Sequence, residues 1–505
     1  MTVETKVTEF ANYINGEWVP ASNGETFDIV NPANGQIAAK AAKSSLIEVE
    51  QVVKSARETY ESGVWSNKSV VERSQVLLRF AAKIQEHANE IIYLEGISSG
   101  GTIRKLAGAD IMQLAMTLKD TADYALKYEF VEPLPVVDYV GASRSEIVRE
   151  PLGVVAAITP WNFPLILAMW KIAPALAMGN SIIVKPATNT PLGTLKLAEL
   201  AIEAGLPPGV FNVITGPGGV VGEALVTHPQ VDKVAFTGST EVGKKIMSLA
   251  AGTIKKVTLE LGGKSPSIVL PDVDFETAIP GILFGVFFHS GQVCESGTRL
   301  LVHDSIYEEV VEKLAAASSK IKLGNPMDPA TGMGPVVSKH QMETILSYIK
   351  SGLDEGARLV CGGKRASGEN LDEGYFIEPT IFADVTNDMK IAQEEIFGPV
   401  LSVIKYSTEE EAIAIANDTI YGLAAGVWSK DITKANQIAG KLKAGTVWIN
   451  DWHAFRNDAP FGGYKQSGTG RELGKRMFDE YTETKHIHTS LASEIGQRKS
   501  FGLIF

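Results

Sequence analysis

From about residue 154 onward, short runs of β-branched and apolar residues alternate with stretches of helical spacing, and that rhythm leaves few folds open. Val154-Val155-Ala156-Ala157-Ile158, Ser181-Ile182-Ile183-Val184, Val210-Phe211-Asn212-Val213-Ile214 and Lys233-Val234-Ala235-Phe236 read as strands buried on both faces. The segments between them, 165–178, 191–204 and 219–227, carry the spacing of helices. Strand, helix, strand in this order predicts a parallel sheet with crossover helices. A second series begins near 267–270 and continues through 298–302 and 445–449, so two α/β units are expected. Upstream, 47–60, 70–94 and 107–128 read as helices, the second on the spacing of Val71, Val76, Leu77 and Phe80. No long linker, low-complexity tract or internal repeat separates the units, which places their boundaries inside compact structure.

Composition excludes several classes of partner. The 505 residues carry 47 basic against 59 acidic side chains, a formal charge of −12, which disfavours a nucleic-acid backbone. The most apolar region, 154–170, is interrupted by Pro160, Asn162 and Pro164 and does not read as a membrane span. Two cysteines build no disulfide framework, and the first residues lack a basic start followed by an apolar stretch. A cytoplasmic protein is the expectation.

One of those cysteines stands apart. Cys294 lies in Ser290-Gly291-Gln292-Val293-Cys294-Glu295-Ser296-Gly297, among small and polar residues that leave a thiol within reach, whereas Cys361 follows the apolar run Leu359-Val360. Cys294 is therefore the candidate nucleophile. Other apparent motifs carry less. Gly216-Pro217-Gly218-Gly219-Val220-Val221-Gly222 fails the dinucleotide fingerprint because Val221 occupies the third glycine position. Thr237-Gly238-Ser239-Thr240 follows a strand and opens a helix, whose free N–H groups suit a phosphate or a plain cap equally. Gly238 to Lys244 matches the start of a P-loop, but Lys245 stands where a magnesium-binding hydroxyl belongs. Gly96-Ile97-Ser98-Ser99-Gly100 has a hydrolase pattern but follows a helix rather than a strand, and reads as that helix's end. His486 and His488 read as solvated strand residues with no third metal ligand, and no metal site is expected. His289, five residues before Cys294, is not a facing interval on a helix.

Six segments in fixed order are more specific: Thr159-Pro160-Trp161-Asn162-Phe163-Pro164, Phe236-Thr237-Gly238-Ser239, Leu259-Glu260-Leu261-Gly262-Gly263-Lys264, Gly291-Gln292-Val293-Cys294, Glu394-Glu395-Ile396-Phe397-Gly398-Pro399, and Pro460-Phe461-Gly462-Gly463-Tyr464-Lys465. Together they resemble the aldehyde dehydrogenase superfamily, from about residue 12 to 490. The resemblance implies oxidation of an aldehyde to a carboxylic acid with NAD(P)+. Cys294 would form a thiohemiacetal and then a thioester, with Asn162 as oxyanion donor and Glu260 as the base that activates water. Lys171 and Glu472 match positions of a proton relay to that base. Cofactor contacts would come from Thr159, Pro160, Trp161, Lys185, Thr188, Gly238, Ser239, Glu395 and Phe397. Phe163, Trp170, Phe288, Glu295, Trp452 and Phe455 fall where the family lines its aldehyde tunnel, an aromatic wall suited to aliphatic or arylalkyl aldehydes or, by cation–π attraction, to betaine aldehyde.

Two departures from the family pattern stand out. Thr188 replaces the Glu with which NAD-preferring members commonly grip the ribose, so NADP is expected to be accepted beside NAD. Glu295 follows the nucleophile where small or neutral residues are usual; because a carboxylate facing the thiol would raise its pKa, it is expected to point outward or toward a polar substrate. For architecture the resemblance implies a Rossmann-like cofactor domain (1–128 and 152–262), an α/β catalytic domain (263–477), a small β oligomerisation extension (129–151 and 478–495) and a C-terminal tail (496–505), assembled as a homodimer or homotetramer. The extension includes Val136-Val137-Asp138-Tyr139-Val140, and the tail is apolar at Phe501, Leu503, Ile504 and Phe505. A CoA-acylating dehydrogenase and a non-catalytic protein on the same fold are the alternatives.

Overall fold

A computed structural model describes residues 7–137, 142–368 and 370–504. Two large sheets dominate it. The first has eight strands, in the order Gly468–Thr469, Lys256–Glu260, Lys233–Thr237, Val154–Ile158, Ser181–Lys185, Phe211–Val213, Asn12–Ile14 and Glu17–Val19. Its five middle strands run parallel, and the flanking ones antiparallel. Alternation along a strand sends neighbours to opposite faces. Val155 and Ala157 pack against the helices Val70–Glu86, Ile111–Ala125, Pro164–Ala177 and Leu192–Glu203, while Val154 and Ala156 pack against Leu46–Glu61 and Thr240–Ala250. Both faces are covered, which is why these strands read as continuous apolar runs.

The second sheet has seven strands, in the order Arg358–Cys361, Thr380–Ala383, Val400–Tyr406, Arg299–His303, Pro266–Val269, Ala424–Trp428 and Thr446–Ile449, parallel but for the first. Ile268, Leu301 and Val427 face the helix Lys339–Asp354; Val269, Leu300 and Val302 face Phe275–Phe287 and Tyr307–Ser318. The two α/β units are thus as expected, but the chain does not divide cleanly between them. Gly468–Thr469 returns to pair with Lys256–Glu260 of the first sheet, and Met477, Phe478 and Tyr481 enter its core.

Three helices depart from the sequence reading. The segment 70–94 is two helices, Val70–Glu86 and Ala88–Ser99, separated at His87, whose ψ of 18° leaves the helical region. No Gly or Pro marks this break, and helical spacing resumes directly after it. Val76, Leu77 and Phe80 are buried as the spacing predicts, whereas Val71 faces solvent. The helix expected over 107–128 opens with a π turn, Leu106–Asp110, before Ile111–Ala125, and that over 219–227 opens with another, Gly218–Gly222. Gly100, at φ 71°, ends Ala88–Ser99, so the hydrolase-like pattern is a helix terminus.

A third sheet pairs Thr482–Ser490 with Ser143–Pro151, and Ser143–Pro151 with Val131–Pro133. Asp138, Tyr139 and Val140 of the expected extension, and Phe505 of the tail, lie outside the described residues. Leu503 and Ile504 are 87% and 85% exposed.

Candidate active site

In the first sheet the helix after Val154–Ile158 goes to one face and the helix after Lys233–Thr237 to the other, although the two strands are neighbours. Such a switch point opens a crevice at the carboxyl ends of the strands. A cleft of about 470 Å³ lies there, lined by Thr159, Pro160, Trp161, Thr237 and Gly238. Gly218, Gly219 and Gly222 of the π turn complete it, with nothing within 4 Å of the position a Gly218 Cβ would take. That glycine run fails the usual fingerprint yet lines the cleft. Ala187 lines the cleft, but Lys185 and Thr188 do not. Lys185 is buried at the end of its strand and its Nζ donates to the Pro186 carbonyl at 2.9 Å; burial pushes its pKa down to about 8. Ser239 caps the helix Thr240–Ala250, accepting from the Val242 N–H at 3.3 Å.

A second cavity, of about 280 Å³, brings Trp161, Asn162, Gly238, Ser239, Glu260, Cys294, Glu395 and Phe397 together. Residues from five of the six segments, up to 236 positions apart in the chain, meet here. The Gly263 N–H donates to Glu395 Oε1 at 3.1 Å, while burial pushes that carboxyl up to about 7. Phe397 has φ 55°, is held by Gln341 Nε2 donating to its carbonyl at 2.9 Å, and meets Trp161 edge-on with ring centroids 5.1 Å apart.

Cys294 arrives on a tight loop. His289, Ser290 and Gly291 follow one another at φ 48°, 58° and 71°, where non-glycine residues are uncommon. At Gly291 no side chain fits, because a Cβ would stand 2.1 Å from the Gly398 carbonyl oxygen of the Phe397 loop. Gln292 staples the turn: its Nε2 donates to the His289 carbonyl at 3.0 Å and its Oε1 accepts from the Val337 N–H at 2.9 Å. Asn162 Nδ2 donates to the Gln292 carbonyl at 2.9 Å, which ties the first unit to this loop. Cys361 is remote from these cavities, on an edge strand beside Ser318.

A third cavity, of about 210 Å³, opens on the other side of the sulfur. Phe163, Trp170, Phe288, Glu295 and Phe455 line it, and Cys294 lines both this cavity and the second. The half-buried thiol therefore stands at the junction of two chambers. Burial pushes its pKa well up, and the carboxylates of Glu295, Glu395 and Glu260 push in the same direction.

Glu260 ends the strand Lys256–Glu260 and is buried, with no hydrogen-bond partner on Oε2. Burial raises its pKa well above the usual carboxylate range; Glu472 adds to the rise and Lys171 opposes it. Lys171 Nζ, fully buried, donates to Glu472 Oε1 at 2.5 Å and to Thr237 Oγ1 at 2.7 Å.

Two sequence expectations are corrected. Glu295 does not point outward: it is 2% exposed, and its Oε2 accepts from Cys294 Sγ at 3.0 Å. Trp452 does not line the tunnel but fills the core beneath the second sheet, where Gly285, Gly297 and Gly426 make room; a Cβ on any of them would come within 2.2–2.9 Å of the indole. His453, the next residue, takes the tunnel position instead. Phe284, Phe461, Asp110 and Gln113 were also missed. Phe284 stands one helical turn before Phe288 and Phe461 lies in a quoted segment, so both had a signal; the others had none. His486 and His488 are exposed on the strand Thr482–Ser490, and no group of three or more His, Cys, Asp or Glu among the described residues is placed to hold a metal.

With this geometry in place, comparison with known proteins is decisive. The model of the aldehyde dehydrogenase family matches residues 18–487. This chain belongs to that family. It is an oxidoreductase that acts on aldehydes. The aldehyde dehydrogenase is 46% identical to a betaine aldehyde dehydrogenase of Bacillus subtilis over 94% of this chain and 96% of that one. It is 43% identical to the mitochondrial aldehyde dehydrogenase family 2 member B4 of Arabidopsis thaliana over 95% and 88%. Its fold matches a Staphylococcus aureus betaine aldehyde dehydrogenase crystallised with NAD+, with TM-score 0.94, 44% identity and 96% of both chains covered. It also matches a P. syringae indole-3-acetaldehyde dehydrogenase mutant in complex with NAD+ and IAA, with TM-score 0.93, 44% identity and coverage of 96% and 97%. No helix among the described residues is long and apolar enough to cross a membrane.

Proposed function

We propose that this enzyme oxidises aldehydes to carboxylic acids through a thioester on Cys294, with NAD as cofactor and NADP also accepted. The observation that carries the reading is the position of the sulfur, shared by a cavity that holds Asn162, Glu260 and Glu395 and is continuous in its lining residues with the switch-point cleft, and by an aromatic cavity on the opposite side. The residues fit a dinucleotide. The helix N-terminus at Ser239 and the open space over Gly218 suit a pyrophosphate, Trp161 and Thr159 border the same cleft, and Glu395 and Phe397 frame the nicotinamide end. A nicotinamide held there would supply the hydride acceptor. An aldehyde carbon is sp² and has no activated hydride, so the sulfur must first add to it and create an oxyanion. Asn162 Nδ2 and the Cys294 N–H are the donors assigned to that oxygen. Glu260 then draws a proton from the water that hydrolyses the thioester, and the Lys171–Glu472 pair behind it carries the proton away.

The aromatic wall of Phe163, Trp170, Phe288 and Phe455 selects an aldehyde with an apolar, arylalkyl or quaternary ammonium body. Position 188 carries Thr rather than a carboxylate that could grip the ribose, the basis for accepting NADP. The test is NAD(P)H formation over a panel of aldehydes, with each cofactor and with and without coenzyme A. Oxidation independent of coenzyme A is expected, with kcat/KM for NAD and NADP within a hundredfold; a preference for NAD of several hundredfold rejects the cofactor reading. Dependence on coenzyme A would turn the assignment to the acylating class, which generally lacks a base at the Glu260 position.

Residues 1–128 and 152–262 are assigned to the cofactor domain and 263–477 to the catalytic domain, with the strand Gly468–Thr469 reaching back between them. The three-stranded sheet of 129–151 and 478–495 is assigned to a homodimer or homotetramer interface, since Val131, Ile487 and Leu491 are exposed on or beside it. Two unpaired thiols suit a reducing cytoplasm. Deleting residues 497–505 is expected to reduce the oligomer observed by light scattering or to raise KM for the aldehyde, because Leu503 and Ile504 are otherwise bare apolar surface; an unchanged size and KM refutes both roles for the tail.

A further inference from the structure

The thiol proton has to leave before or during attack, and the group that touches it is not Glu260. Cys294 Sγ donates to Glu295 Oε2 at 3.0 Å, and the other oxygen of that carboxylate, Oε1, meets His453 Nδ1 at 2.8 Å. The side chains of Glu295 and His453 are 3% and 4% exposed, so neither contact is a surface accident. A carboxylate only accepts hydrogen bonds, so with Glu295 as the acceptor of both contacts the protons lie on the sulfur and on Nδ1. His453 is held in place from several sides. It sits at φ 57° after the strand Thr446–Ile449, with its ring centroid 5.2 Å from Phe284, 5.5 Å from Phe288 and 6.4 Å from Trp448. Its Nε2 is buried without a partner, so the contact with Glu295 is the polar contact that orients it.

We propose that Glu295, oriented by His453, is the base that takes the Cys294 proton as the sulfur attacks the aldehyde. The inference rests on Cys294 being the nucleophile, as proposed above. In the step, the S–H bond breaks and its proton passes to Glu295 Oε2. The electron pair left on sulfur forms the C–S bond, and the carbonyl π pair moves onto oxygen as the oxyanion held by Asn162. After loss of hydride and attack of water, whose proton goes to Glu260, the C–S bond breaks, its pair returns to sulfur, and Glu295 gives its proton back. Two carboxylates thus divide the cycle: Glu295 serves acylation and Glu260 serves hydrolysis. The surroundings of the sulfur explain the need. The carboxylates of Glu295, Glu395 and Glu260 act on the sulfur and, with burial, oppose a free thiolate waiting for substrate. Removal of the proton in the same event as C–S bond formation avoids that state.

The readout is the pre-steady-state burst of NADH with saturating NAD and aldehyde. For Glu295→Gln the burst rate constant at pH 7 is expected to fall about a hundredfold or more. It should also become steeply pH-dependent, rising about tenfold per pH unit, because the sulfur must then ionise unaided. Glu295→Asp, which keeps the carboxylate, should restore part of the rate, and His453→Leu should slow the burst less than Glu295→Gln does. If Glu295 only suppresses the thiolate, its neutralisation leaves the burst at pH 7 unchanged or faster, and that result overturns the proposal; should Glu295→Gln not fold, a His453→Leu burst equal to wild type in rate and in pH dependence overturns it. Retained aldehyde oxidation by Cys294→Ala is the separate result that would sink the nucleophile assignment itself.

Discussion

Glu260→Gln is expected to produce one equivalent of NADH per active site and then stall, with steady-state turnover lowered by about 10²–10⁴. The substitution removes the proton acceptor for water and leaves the nucleophile, the oxyanion donor and Glu295 in place, so acylation proceeds and the thioester accumulates on Cys294. Intact-protein mass spectrometry should show the acyl adduct. The pH dependence follows from the same site. Burial and Glu472 hold the Glu260 pKa well above the ordinary carboxylate range. A base works in its deprotonated form, so hydrolysis should climb as pH rises through that raised pKa and fade below it, and the climbing limb should vanish in Glu260→Gln. Unchanged turnover in the variant, with no adduct, would remove Glu260 from the mechanism.

Lys171→Met is expected to destabilise the protein by about 3–5 kcal/mol, because it leaves the Glu472 carboxylate buried without its cation. Lys171 Nζ is fully enclosed and Glu472 is 4% exposed, so water does not replace the lost partner. Replacing both, in Lys171→Met with Glu472→Leu, should recover most of the loss, since the cost lies in the uncompensated charge rather than in the absence of the pair. The single variant carries a second signature. Lys171 pulls the Glu260 pKa down and Glu472 pushes it up, so removal of the lysine alone should move the climbing limb of the hydrolysis profile to higher pH. Urea denaturation and the pH profile together check the prediction; a single variant as stable as wild type contradicts it.

Much of the site was readable before any fold was known, because it is written in short contiguous motifs. Cys294, Glu260, Asn162, Glu395 and Phe397 each sit in a loop or strand end whose neighbours are small or constrained, and the order of those segments carried the assignment. The gaps have a common cause. Lys185 carried a cofactor role by resemblance, but where its amine goes depends on the Pro186 carbonyl beside it and on burial. The glycines at 218, 219 and 222 fail a spacing rule yet line the cleft, because a π turn rather than a regular helix presents them.

What the sequence by itself determined are the strands with both faces covered, the crossover helices between them and the segments that meet at their ends, since hydrophobic period and turn residues act locally. Only the tertiary structure decided which way individual loop side chains face. Glu295 turns inward because His453, 158 residues away, offers it a ring nitrogen at 2.8 Å within an aromatic pocket, and Trp452 leaves the tunnel because three glycines from separate segments open a space its own size. Neither partner is adjacent in the chain, so no period or motif around Glu295 or Trp452 encodes the direction, which is set by the close packing of distant segments.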